Sequence, residues 1–456
     1  MDVHIYYYNK DSDNLGLIPV IGSCPAEKNL ELLTEKLKCF DIFFKNDIIS
    51  SMSDGANVMQ KFARLSPALQ QFCYNHGLHL AVIKVFYVKN CNIKQISESD
   101  SDSSERRNDS DFDYDTEIIE TNNMNLNPEI NITIDAIRKI SKVFRKSAVK
   151  NNILQKYVIE KEKKELMTIL DCRTRWNTME TMVERFLRIS TPIKKSLIDL
   201  NLTNLWNDSY IENAKTILST LKPLRIAIEI LSKEDSTLLT AEGALKFLFK
   251  ALQNLNTEIS RKLLNAVKDE ISKRRDKTLI SLFRFLQNPD NIAQKESDDF
   301  FNMSTRNEIY KLAKNITCRI SLQKYSDDEK ATISTANQSK IMVIEESAAT
   351  DEESTLEQQL NLSIRESLKE FQDHNVDRVE IIVKELKIFE TNGKRSQNLQ
   401  QLFDALLTIK PTSTQNERNF SIETDFVTKK RTKLGDETLN ALCFLKNYFK
   451  VRKQQF

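Results

Sequence analysis

Two positions raise the question of chemistry. Asp54 follows the run "DIISSMS" and precedes Gly55, so a carboxylate stands where a strand ends. Cys73 and His76 lie further on in "CYNH", a Cys-x-x-His pair in helical text. A carboxylate at a strand end is well placed to hold a divalent metal, yet Asp before Gly also closes a strand with an Asx turn. Both readings stay open at this stage. Cys-x-x-His supplies half of a zinc finger's spacing, but no second ligand pair follows at finger distance. A packed or phosphate-facing His76 is therefore the better reading. Arg175 and Trp176 stand together in "CRTRW", where an isolated Trp is more often core than a platform for a base. The run "KKRTK", Lys429–Lys433, reads either as a nuclear-import or phosphate-contact patch or as a solvated loop.

The composition around these residues excludes several classes. The chain has 456 residues and a net charge of only +2, so any nucleic-acid contact must come from local clustering of Lys and Arg. Its 7 Cys occur singly, without CxxC pairs, which argues against a zinc ribbon or a disulfide scaffold and for a reducing compartment. Only 7 Gly are present, and GxxxxGK[ST], GxSxG and HExxH are all absent, which removes the common nucleotide-binding and hydrolase signatures. With no apolar run of about 18 residues and no signal peptide, a soluble intracellular protein is expected.

The elements that must position these groups follow from periodicity. "VHIYYY" (Val3–Tyr8) and "LGLIPVIG" (Leu15–Gly22) read as strands of a hairpin joined through "NKDSDN". Leu30, Leu33 and Leu37 stripe a helix over Asn29–Phe40. Asp47–Ser53 reads as a third strand, and Val58, Met59 and Phe62 as a helix after Gly55. A further helix is predicted to open at Ser66–Pro67, capped by Ser, and to run through Leu69, Phe72, Cys73, His76, Leu80 and Ile83 with His76 on the core face. From Ser97 the text turns to Ser and acids, as expected of a disordered insert. Helical periodicity resumes from about Ile134 to Leu170 and beyond Trp176. The organisation expected is 1–96 as the first part of an α/β core, 97–130 as an acidic insert, 131–190 as core helices, 191–322 as a helical domain, 323–354 as a linker and 355–456 as a C-terminal region. In that last region "LNALCFLKNYF" (Leu439–Phe449) is apolar on nearly every side. A solvent-exposed helix does not tolerate this, so burial against a second subunit is expected.

The last block resembles the C-terminal dimerisation region of hAT-superfamily DNA transposases. A helix ends at Lys410, "PTST" follows at Pro411–Thr414, then "ERNFS" at Glu417–Ser421, the basic run, and the Leu-rich final helix. "SDGANVM" around Asp54, "CYNH" and "DCRTRWNTM" are similar to the same family, in the family's order. The resemblance implies an α/β plus α fold, a split RNase-H-like core interrupted by a helical insertion. It implies Asp54 and Glu417 as catalytic acids holding Mg²⁺ or Mn²⁺ for phosphoryl transfer on DNA. It further implies DNA contacts from His76, Arg175, Trp176, Lys429, Lys430 and Arg431, with Trp176 stacking on a flipped base. Phe420, Leu439, Leu442 and Leu445 are the expected dimerisation residues.

One departure bears on activity. The family's first acid lies on the first core strand, whereas "MDVHIYYY" resembles the second, and Asp2 lacks the expected neighbours. The first strand, its Asp and an N-terminal zinc finger (the BED type) are expected to be missing. A metal site with two of three acids loses charge and geometry together. The expectation is thus a truncated or domesticated copy that is not an enzyme in its present form: a nuclear homodimer with DNA as a further partner, no membrane and no small-molecule substrate, needing no cofactor unless an active transposase survives.

Overall fold

The computed structural model describes residues 2–7, 12–18, 20, 24–89, 124–126, 128–171, 176–293, 296, 298–319, 381–414, 438, 441–442 and 445. The chain opens with an antiparallel hairpin, β1 (Asp2–Tyr6) against β2 (Ser12–Leu17), whose register shifts between Val3 and His4. Helix α1 (Ala26–Lys38), the short turn α2 (Phe44–Asp47) and helix α3 (Asn57–Leu65) close over it. Val3, Ile5, Leu15, Leu37, Phe44 and Phe62 form their small shared core.

Strand β3 (Ser50–Ser53) pairs in parallel with β4 (Leu69–Phe72), with α3 as the crossover. This corrects the helix expected from Ser66. The Ser66 hydroxyl accepts the amide of Ala68 at 3.1 Å, a local turn rather than a helix cap. The Leu69–Phe72 ladder then continues into Cys73, and helix begins only at Tyr74. A four-residue run with polar and apolar members has no period of its own, so a distant strand decides its state. Gln70 reinforces that choice, accepting from the Ser51 hydroxyl at 2.7 Å and donating to that of Ser53 at 3.0 Å. Two boundaries also move. The strand expected from Asp47 begins at Ser50, and the stretch expected as acidic insert ends in strand β6 (Met124–Leu126), antiparallel to β5 (Tyr87–Lys89).

Helix α4 (Tyr74–Phe86) carries the chain into the large core. It buries Tyr74, Gly77, Leu78, Ala81, Val82 and Phe86. His76, Leu80 and Ile83 lie off that face and are half-buried, so the core stripe sits one position round the helix from the expected one. Around α4 stand α5 (Pro128–Arg145), α6 (Ala148–Glu162), α7 (Trp176–Arg188), α8 (Ser190–Asp199), α9 (Asp208–Leu231), α10 (Leu238–Leu255), α11 (Glu258–Ser272) and α12 (Lys277–Gln287). Helical residues 306–319 and 381–392 and helix α13 (Gln397–Leu407) complete it. Their apolar faces form one continuous cluster, from Tyr74 through Leu224, Leu248, Val267 and Phe283 to Leu402 and Ile409. Among the described residues the architecture is mostly helical with three separate two-stranded sheets, and no helix is long and apolar enough to cross a membrane.

Helix α4 packs against α11, and the contact depends on Gly77. A Cβ added there would lie 2.8 Å from Cδ of Arg274 and 3.3 Å from Cδ1 of Ile271. Gly in a helix interior costs about 1 kcal/mol relative to Ala, and here that cost is offset by close approach. Substituting Gly77→Val is expected to destabilise the protein by about 1–3 kcal/mol, the usual range for overpacking. Chemical denaturation of the two proteins checks this.

Candidate functional site

The site is assembled where the parallel strands end. The amide of Cys73 donates to the carbonyl of Ser53 at 2.8 Å, which extends the ladder by one bond. Asp54 and Cys73 therefore leave the pair side by side. The Asp54 carboxylate accepts the amide of Ala56 at 3.0 Å, an Asx turn in which Gly55 takes φ of 90°. That backbone conformation favours glycine, and an added Cβ would also touch the Phe72 ring at 3.4 Å. The carboxyl ends of parallel strands are where open α/β sheets place their ligands.

Chain from the far C-terminal region closes over these ends. The amide of Tyr74, in the first turn of α4, donates to the carbonyl of Pro411 at 3.0 Å. The amide of Ser413 donates to the wholly buried Cys73 sulfur at 3.4 Å. Asn75 bridges three elements, its amide nitrogen donating to the Ser232 hydroxyl at 2.8 Å and to that of Thr414 at 2.9 Å. Thr412 adds a bond from its hydroxyl to the carbonyl of Leu231 at 3.1 Å, and Lys410 one to the carbonyl of Glu234 at 2.8 Å. Burial holds the Lys410 amine below its usual range, an effect opposed by Asp235 and Glu234.

Beneath this seam lies a buried polar layer. Tyr74 is wholly buried, and burial, reinforced by the nearby Glu242 carboxylate, pushes its phenol above the ordinary range. Glu242 is held by Arg275 through paired bonds of 2.7 and 2.9 Å, both side chains being 5% exposed. Removing one member of such a pair strands a buried charge, which is far costlier than the pair's net contribution. The buried Gln71 donates to the carbonyl of Arg274 at 3.2 Å and so ties β4 to the loop after α11.

The expected site residues divide sharply. Asp54 and Cys73 leave the strand pair together, the Pro411–Thr414 segment bonds to Cys73 and the first turn of α4, and His76 follows Asn75 in sequence, half-buried. Arg175, Glu417, Phe420, Lys429, Lys430, Arg431 and Leu439 lie outside the described residues, as does the side chain of Trp176. Leu442 is half-buried and Leu445 is 46% exposed. Among the described residues no group of three or more His, Cys, Asp or Glu is arranged to hold a metal. Among the described residues Asp54 is thus without a partner set for Mg²⁺ or Mn²⁺. The residues missed in the sequence are Asn75, Ser232 and Thr414. Asn75 and Thr414 sit inside motifs already singled out, whereas Ser232 carries no signal of its own.

The C-terminal segment clamped onto the strand ends shares the large core through Leu402, Leu406 and Ile409. Residues 366–449 match the family model described as the hAT family C-terminal dimerisation region. The match supports hAT family membership, a transposase-family origin and self-association. No curated protein matches the chain.

The clamp is open to direct measurement. In a double-mutant cycle, Asn75→Ala and Thr414→Val are expected to be non-additive, with a coupling of about 1 kcal/mol, as for residues sharing one hydrogen-bond network. Additive losses in urea titrations would remove the proposed bridge.

Proposed function

We propose that this chain is a hAT transposase-derived protein that self-associates through its C-terminal region, acts on or beside DNA in the nucleus, and lacks transposase chemistry of its own. The observation that carries the self-association is the match over 366–449. Leu445, an exposed leucine in that stretch, fits burial against a second copy. An RNase-H-like ancestry draws support from the parallel β3–β4 pair with Asp54 at its carboxyl end. The clamp at Pro411–Thr414 adds support, because Glu417 follows Thr414 by three residues in sequence. The reading of lost chemistry draws on the carboxylates: Asp54 and Glu417 are the two acids the resemblance carries over, and phosphoryl transfer by two metals requires several acids in register.

Sedimentation of the whole chain tests the first part. The wild type is expected to run as a dimer and Leu442→Asp as a weakened dimer, since a buried unpaired carboxylate in an interface is costly. Monomers in both samples would refute self-association. Catalysis is tested separately with labelled terminal-repeat DNA and Mg²⁺ or Mn²⁺, where no nicking is expected. Nicking that disappears in Asp54→Ala would establish the alternative, a working metal-dependent DNA transposase.

A further inference from the structure

A markedly basic run lies away from the strand ends, on α5 and α6. Residues 139–164 hold nine basic and two acidic side chains, in a chain whose net charge is only +2. Helix α5 turns Ile130, Ile134, Ile137, Ile140 and Phe144 into the core. Lys139, Lys142, Arg145 and Lys146 are exposed on the opposite side, and Lys150 follows in the first turn of α6.

Several surface lysines elsewhere meet acids: Lys194 with Asp208, Lys215 with Glu212, Lys262 with Glu258, Lys268 with Asp298. Among the described residues, Lys139, Lys142, Lys146 and Lys150 make no such pair, and the first turn of α6 holds no acid. Like charges three and four residues apart on a helix repel, and among the described residues these lysines are held together without an ion-pair partner.

We infer that this basic face of α5 and α6 is a binding surface for the phosphate backbone of duplex DNA, separate from the strand-end site. Charge complementarity selects a polyanion, because a row of lysines on a rigid helix meets repeated phosphates and releases their counterions. The lack of an open stacking platform selects a duplex over single strands, which are gripped through aromatic faces. Of the aromatic side chains on these two helices, Phe144 is buried and Tyr157 is engaged by Asp199 at 2.6 Å and by Lys195 over its ring. Phosphate contacts of this kind position a protein on DNA without reading sequence. The surface gives the DNA association proposed above a definite location, and the inference rests on that association.

The test uses the full chain and a labelled duplex of arbitrary sequence, titrated between about 50 and 200 mM salt. The wild type is expected to bind with log affinity falling linearly in log salt. The triple variant Lys139→Gln, Lys142→Gln, Lys146→Gln is expected to bind at least about tenfold more weakly at the low-salt end, with the slope reduced by about 2 to 3. Its sedimentation and circular dichroism are expected to match the wild type, since the three side chains are exposed. An unchanged slope in this variant, with loss instead in Lys429→Gln, Lys430→Gln, Arg431→Gln, would overturn the surface and leave DNA association elsewhere. No binding by the wild type would overturn both. Binding to vesicles containing anionic lipid but not to the duplex would overturn the assignment to DNA.

Discussion

The hydrogen bonds between the first turn of α4 and the segment Pro411–Thr414 hold together regions more than 330 positions apart in sequence. Asn75 is the junction, since it reaches Ser232 at the end of α9 and Thr414 in the C-terminal region with one amide. Each bond is modest in water-exchange terms, about 1 kcal/mol. Their location matters more than their number. They fall where the parallel strand pair ends, so the position of the C-terminal region is referred directly to Asp54 and Cys73.

That junction is only as rigid as α4, and α4 is fixed from the other side. Gly77 lets Arg274 and Ile271 of the α11 region approach the helix backbone. Arg274 is itself held by Glu270 at 3.0 Å, while its neighbour Arg275 spans to Glu242 on α10. Arg319 adds a third tie, its guanidinium donating to the carbonyl oxygens of Pro67 and Ile48, at the entrances to β4 and β3. Buried ion pairs add little net stability over apolar packing. They do penalise any alternative in which one partner is displaced, which suits elements that must stay in register with a remote segment.

The sequence made the local patterns legible and left the long-range ones open. The hairpin and the helix after it follow from β-branched runs and a leucine stripe, and the structure has both, with boundaries moved by a few residues. Leu69–Phe72 was not legible, because its strand character comes from Ser50–Ser53 and from the Gln70 bonds, neither of which periodicity reports. The inward face of α4 was misjudged for the same reason. Anchoring the stripe on Leu69 and Phe72 assumed one unbroken helix, and with helix starting at Tyr74 the buried set becomes Tyr74, Leu78, Ala81 and Val82. The motifs around Asp54 and "CYNH" were found by type and order, but the partner of Asn75 on α9 belongs to tertiary structure alone.

Asp54 shows why a turn and a catalytic acid are hard to tell apart by residue type. The bond from the Ala56 amide fixes the carboxylate at the strand end, and Gly55 supplies the left-handed turn that the chain needs to enter α3. A side chain held this way has already given up rotamer freedom, so its later use as a ligand would need little further ordering. Conversely, the turn stays stable with no ligand, because the carboxylate is occupied by the backbone. An Asp that closes this turn is therefore favoured by the fold alone, and its presence does not by itself establish metal binding. Activity depends on whether other carboxylates meet it, and the seam at Asn75 determines which part of the chain is brought close enough to supply one.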